Sequence, residues 1–160
     1  MTSVLTGLIS CIYNHIMVTE TMSQRMANEC IAMRVRLLNR VVTKAYDDCL
    51  RPLGLRTAQQ TILVAISLMK TPTPSHIERR LNLDKSTVSR NVERMQRRGW
   101  VEFVEGEDGR SHHLKLTVKG AKLLHESTAL WQSAQKKVSS LLGKEGVTAL
   151  SRILSALDAK

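Results

Sequence analysis

The stretch LNLDKSTVSRNVERMQRRGW, Leu81 to Trp100, decides how the rest of the chain is read. Val88, Val92 and Met95 recur at spacings of four and three, so a helix here turns one apolar stripe inward. The remaining positions carry Lys85, Ser86, Thr87, Ser89, Arg90, Asn91 and Arg94, which such a helix presents on its outer and flanking faces. Asp84 is the natural N-cap and Gly99 the stop, which gives a helix running to Arg98. A row of hydroxyls, an amide and guanidinium groups fits the donor and acceptor code of a DNA major groove. Arg pairs bidentately with guanine O6 and N7, Asn pairs with adenine, and Ser or Thr serve bases or phosphates.

The flanks supply the frame for that helix. Thr73 caps a short helix, Pro74 to Leu81, with Pro74 at the first position, where a missing N–H costs nothing. Ile77 is its buried side chain, Asn82 makes the turn, and Leu83 packs beneath it. His76, on this short helix, reads as a surface or phosphate-contacting residue rather than a ligand. On the other side WVEFVE and HHLKLT alternate in polarity and are joined through Gly106 to Ser111, where Asp108 and Gly109 are favoured turn residues. Two short helices, a tight turn and a hairpin are the outline of a winged helix-turn-helix.

Further out the chain reads as helical. From Met26 to Leu50, Leu37, Leu38, Val41, Ala45 and Cys49 form an inward stripe, and Val35, Val42 and Tyr46 add apolar surface on another side. RPLGL breaks this helix at Pro52 and Gly54, and Thr57 with Gln60 forms a capping-box pattern ahead of TILVAISLM, a buried helix to about Lys70. Thr117 opens a long helix broken near Gly143, and a final helix from Lys144 to Leu157 carries Val147, Leu150, Ile153, Leu154 and Leu157 at helical spacing. The fold class is mainly α with a small β-hairpin wing: a winged helix-turn-helix with long N- and C-terminal dimerisation helices. Residues 1–25 are an N-terminal extension, 26–50 with 117–160 the helical dimerisation region, and 51–116 the winged region.

Composition narrows the partner. A chain of 160 residues with 42% hydrophobic content buries one sizeable core, so one globular unit is expected. The formal charge of +10 favours a polyanion, and 3% aromatic content leaves little for the stacking platforms that read single strands, so a duplex is indicated. Cys11, Cys30 and Cys49 show no CxxC or metal-ligand spacing, which points to a reducing cytoplasm and to no disulfide framework, metal or cofactor. His112 and His113 alternate across a strand and do not converge on one metal. No paired carboxylates, nucleophile elbow, phosphate-binding glycine loop or metal cluster supports an enzyme. The apolar run Val4 to Val18 is shorter than the roughly 20 residues of a spanning helix. Asn14 and His15 interrupt it and no Lys or Arg precedes it, so neither a membrane span nor a signal peptide is read there. An extra packed helix, a disordered tail and a translation start assigned too early all remain open for it.

At this point the chain resembles the MarR family of bacterial transcriptional regulators. The residues that carry the resemblance are YDDCLRPLGLRTAQ (Tyr46 to Gln59), LNLDKSTVSRNVERMQRRGWV (Leu81 to Val101), EDGRSHHLKLTVKG (Glu107 to Gly120) and the helical tail, from about Asn28 to the C-terminus. The resemblance implies that Ser86, Thr87, Ser89, Arg90 and Arg94 touch DNA in the major groove. It implies also that Arg110 enters the minor groove with Asp108 holding it, and that the first and last two helices form a homodimer. Apolar residues of the tail beyond the needs of a small core, Leu123, Leu124, Leu130, Trp131, Val138, Leu141 and Leu142, point the same way. A two-fold dimer sets its recognition helices one DNA turn apart, about 34 to 36 Å, and predicts a pseudo-palindromic operator.

Family members respond to small aromatic or anionic effectors bound between the dimer base and the DNA-binding lobe, or to cysteine oxidation. Cys30, with Arg34 nearby, is the candidate sensor. It falls about two residues from the position of the reactive thiol in peroxide-sensing members, nearly the opposite helix face. A buried inert thiol is the alternative, and Cys49 reads as structural. Three positions depart from the family: Glu78, where a small residue is usual and where a carboxylate must escape or pair with Arg90 or Arg79; Asn82 in place of a turn glycine; and a wing made acidic by Glu105, Glu107 and Asp108. The expected function is a sequence-specific double-stranded DNA-binding regulator, a repressor released by ligand or oxidant. The alternative is a non-specific architectural nucleic-acid-binding protein.

Overall fold

The computed structural model describes residues 21–106 and 111–158. The apolar run Val4 to Val18 and the wing-tip residues Asp108 and Arg110 lie outside them. The chain divides into two units, with the boundary between Val41 and Val42.

In the first unit, residues 21–29 are helical and helix α1, Ile31–Leu50, begins after Cys30. Cys30 barely interrupts the ladder, since its N–H donates to the Met26 carbonyl at 3.1 Å and its carbonyl accepts from the Arg34 N–H at 3.1 Å. The described residues are helical already at residue 21, ahead of the Met26 start that periodicity predicts. The stripe expected to face inward does so only in part: Leu38, Ala45 and Cys49 are half-buried, while Leu37 is 63% exposed and Val41 40%.

The second unit holds the end of α1 and everything after it. A 3-10 turn, Arg51–Leu53, closes on Gly54 in the left-handed region (φ 62°). Helix α2, Thr57–Met69, has Arg56 at its N-cap, one residue earlier than the Thr57 capping box predicted. The cause is Asp47 from α1, whose Oδ1 accepts from both the N–H and the hydroxyl of Thr57 at 2.7 Å each. Gln60 is thereby released from the cap and buried. Helix α3, Pro74–Leu81, and helix α4, Lys85–Arg97, follow, and strands β1, Val101–Glu105, and β2, His112–Leu116, pair antiparallel with Val101 opposite Leu116 and Glu105 opposite His112. Helix α5, Val118–Asp158, is interrupted at Gly143, whose backbone (φ 68°, ψ 167°) is not helical, so two helical segments meet at the break expected there.

The core of this unit is built where α2, α3, α4 and the hairpin meet. Ile62, Leu63, Ile66, Ile77, Val88, Met95 and Leu114 are all fully buried. Each such side chain contributes roughly 1.5–3 kcal/mol relative to exposure. The hairpin is fixed at its base by the Leu114 N–H, which donates to the Pro72 carbonyl at 2.7 Å. The start of α5 is fixed by Thr117, whose hydroxyl donates to the Gly99 carbonyl at 2.6 Å and accepts from the Gly120 N–H at 3.0 Å. Gly120 is required there, because a Cβ at that position would stand 1.9 Å from the Trp100 carbonyl oxygen. Among the described residues no helix is long and apolar enough to cross a membrane.

Candidate nucleic-acid interface

The turn that aims α4 is locked at both ends. Thr73 Oγ1 accepts from the His76 N–H at 3.3 Å, and His76 Nδ1 accepts from the Thr73 N–H at 3.3 Å, so the exposed His76 is part of the α3 cap. Asn82 takes the left-handed conformation (φ 49°, ψ 50°) in place of a glycine, a conformation Asn tolerates. The next N–H, from Leu83, donates to the Glu78 carbonyl at 3.0 Å. Asp84 occupies the N-cap of α4 as expected, but it caps with its carbonyl, taking the Thr87 and Val88 N–H groups at 2.9 and 3.1 Å, and its carboxylate makes no capping bond. Gly99 (φ 69°) closes the far end, with the Trp100 N–H reaching back to the Met95 carbonyl at 2.9 Å.

Seven of the eight residues proposed for base and phosphate contact are therefore on one helix held rigidly to the core. Val88, Val92 and Met95 are 0%, 3% and 0% exposed, so the opposite face must look outward. Lys85, Ser86, Ser89, Arg90 and Arg94 are exposed there, with Thr87 and Asn91 half-buried on the flanks. Two of the side chains fold back onto their own helix. Arg90 donates through Nε to the Ser86 carbonyl at 2.9 Å and through Nη2 to Ser86 Oγ at 3.0 Å, and Asn91 Nδ2 donates to the Thr87 carbonyl at 2.8 Å. Asn91 keeps its carbonyl oxygen and second N–H for another partner. Of the two outcomes open to Glu78, escape or pairing with Arg90 or Arg79, no such pair forms among the described residues: Arg90 is committed to Ser86, and Glu78 is half-buried.

The family profile described as MarR matches residues 53–111, the span from the 3-10 turn through the hairpin. The crystal structure of the transcriptional regulator MosR from M. tuberculosis, in complex with DNA, is 32% identical, superposes with a TM-score of 0.69, and is matched over 82% of this chain and 98% of its own. This chain belongs to the MarR family. A Bacillus subtilis protein is also similar in sequence: the uncharacterized HTH-type transcriptional regulator YwoH is 31% identical over 87 residues, 54% of this chain and 64% of that protein. A cysteine-to-serine mutant of Escherichia coli MarR, complexed with operator DNA, is 22% identical and shows the shared fold at a TM-score of 0.74, over 83% of this chain and 96% of that one. The winged-helix regulator class is thereby settled, and it is a class of transcriptional regulators rather than of enzymes.

Other groups that matter to a MarR-family regulator were not evident from the sequence. His113 bridges the base of the wing: its Nδ1 lies 2.7 Å from the Thr71 carbonyl and its Nε2 2.9 Å from Ser111 Oγ. A cleft of about 420 Å³ opens between α2 and α5, lined by Val64, Leu68, Leu124 and Trp131 around Gln60 and Ser127. Gln60 Nε2 donates to Ser127 Oγ at 3.0 Å, and the Ser127 hydroxyl donates to the Leu124 carbonyl at 2.8 Å. The only sequence signal for this pair was a glutamine ahead of an otherwise apolar helix. At the candidate sensor, Cys30 is half-buried and the Arg34 guanidinium donates to the Asn28 carbonyl. Cys49 is half-buried as well. No cluster of metal-ligating side chains occurs among the described residues.

Proposed function

We propose that this regulator is a homodimeric, cytoplasmic, sequence-specific binder of double-stranded DNA that represses transcription by occluding a promoter. The observation that carries the reading is the two-faced α4, whose apolar side is sealed into the core while its polar side stands open on a chain of net charge +10. On this reading Lys85, Ser86, Thr87, Ser89, Arg90, Asn91 and Arg94 read or position the major groove, and Arg110, set by Asp108, reaches the minor groove. MosR and an E. coli MarR mutant, two of the proteins it resembles in structure, are each known in complex with DNA, and for MarR that DNA is an operator. The apolar residues left exposed on α1 and on the end of α5 support a two-fold dimer and hence a pseudo-palindromic operator.

Release by a small effector is the regulatory half of the proposal. The α2–α5 cleft has the volume of a small-molecule site, about 300–1,000 Å³, and the composition of one: apolar walls with a few convergent polar groups. An aromatic or apolar molecule carrying one hydrogen-bonding group suits it. Oxidation of Cys30, which is half-buried one helical turn before Arg34, is the second route.

The test is fluorescence anisotropy with DNA from upstream of the protein's own gene against scrambled DNA of equal length, across a salt series. A preference of about a thousandfold or more at physiological salt establishes specific regulation. Equal binding to several promoter fragments and to scrambled DNA, fading steeply with salt, would instead mark a non-specific architectural protein.

A further inference from the structure

Behind the base-reading face of α4 lies a cluster of cations of which the proposed reading uses only Arg94. Arg56 at the start of α2 and Arg94, Arg97 and Arg98 at the end of α4 line one cleft with Gly54 and Gln59. It encloses about 520 Å³, and no carboxylate lines it among the described residues. Arg97 and Arg98 also line the adjoining cleft, which adds Lys119 and Lys122 from α5 and one carboxylate, Glu126, 3.8 Å from the Lys122 ammonium. Like charges drawn together at this density repel one another unless an anion joins them.

One of these cations is held in place. Arg98 Nη1 donates to the Gly54 carbonyl at 3.1 Å, and its guanidinium lies 5.0 Å from the centre of the Trp100 ring. Gly54 makes room for it, since a Cβ there would come within 2.9 Å of the same Nη1. The indole beneath and the carbonyl at one edge fix the fork, and its other N–H groups remain to bind a ligand. The nearby acids leave the cleft largely uncompensated. Asp47 Oδ1 accepts twice from Thr57, and Glu93 forms only an exposed helical pair with Arg97 at 3.2 Å, which competes weakly. Planar guanidinium groups in this arrangement match the oxygens of a phosphate better than a compact cation would.

We propose that the Arg56, Arg97 and Arg98 cleft is a phosphate-binding site distinct from the base-reading residues of α4. The phosphate comes either from the DNA backbone as it leaves the major groove or from a free polyphosphate. The first source rests on the DNA-binding reading above; the second does not. If DNA supplies it, these arginines contribute to affinity on every sequence alike and add counterion release without adding specificity.

The experiment compares the full chain with the double variant Arg56→Gln and Arg97→Gln, which leaves the stacked Arg98 and the groove-facing residues intact. Circular dichroism first establishes that the variant is folded. Operator and scrambled DNA are titrated over a salt series, and inorganic triphosphate is titrated into the DNA-free protein by calorimetry. A fall of about one to two in the slope of log affinity against log salt, equal on both DNAs, assigns the site to backbone phosphate. Triphosphate binding by the wild type that the variant loses, with an unchanged DNA slope, assigns it to a free polyphosphate. An unchanged slope together with no triphosphate binding overturns the site. If the wild type shows no preference between the DNAs, the regulator reading fails by itself, and the triphosphate titration and the common slope still decide the cleft.

Discussion

Helix α4 and the helical arms treat their apolar residues in opposite ways. On α4, Val88, Val92 and Met95 are buried within this single chain. On α1 and the end of α5, Ile31, Leu37, Leu141, Ile153, Leu154 and Leu157 are each more than half exposed. The winged lobe is thus a finished object, with a closed core and a polar face left for a ligand. The arms are unfinished, and on the proposed reading a second copy completes them. Affinity for DNA then depends on two separable things: the chemistry of one helix, and the pairing that presents two such helices at once.

The strongest way to break this contrast is to spoil the arms while leaving the lobe untouched. Leu154→Asp with Leu157→Asp places two charges on exposed positions, where they disturb no packing within the chain. Sedimentation should then show a folded monomer, and operator affinity should fall roughly a hundredfold to ten-thousandfold as the second half-site is lost. A variant that stays dimeric would show that these leucines are not the seam.

The reverse experiment spoils the lobe. Gly120→Ala forces a methyl group against the Trp100 carbonyl, where backbone on both sides must move, and should cost about 3 kcal/mol. Ile77→Ala empties a fully buried site beneath the turn and should cost about 2–5 kcal/mol. Both losses should be evident in urea denaturation. An arm substitution of the same kind, Leu37→Ala, should act chiefly through protein concentration, because its contact lies across the proposed interface.

These cases also explain what the sequence disclosed. The period of Val88, Val92 and Met95, the Thr73–Pro74 cap and the alternation of WVEFVE and HHLKLT are local, and short-range physics sufficed to place α3, α4 and the two strands. The α2 cap escaped because Asp47, ten residues upstream, took Thr57 and moved the boundary by one. The sealed Gln60–Ser127 pair and the Arg98–Gly54–Trp100 arrangement join residues distant in sequence, so no spacing rule could reveal them. The apolar excess on α1 was legible, but periodicity alone cannot distinguish a stripe that faces its own core from one that faces a partner.

Within the lobe the contrast sharpens further between reading and positioning. Arg94→Ala should cost about 1–3 kcal/mol on the preferred operator and relax selectivity at particular base pairs. A uniform loss on all sequences would move Arg94 into the phosphate cleft that it also lines. Competition binding with single-base operator variants separates the two.

The smallest effect tests the joint between the arms rather than their exposed seam. Tyr46 on α1 donates its hydroxyl hydrogen bond to Gln135 Oε1 on α5, and burial raises its pKa above the ordinary tyrosine value. A phenol whose folded pKa is raised favours the folded state fully below the unfolded value, and that contribution is lost as pH rises through the folded value. Wild-type stability should therefore decline more steeply above about pH 10 than that of Tyr46→Phe, which has no proton to lose. At pH 7 the Phe variant should be slightly less stable, by the worth of one exposed hydrogen bond. Thermal melts of both proteins between pH 7 and 11 decide it: curves that run parallel throughout would mean that Tyr46 titrates as freely in the folded chain as in the unfolded one. Curves that converge at high pH would locate a proton-dependent contact at the joint between α1 and α5 within one chain, independent of any partner that completes the arms.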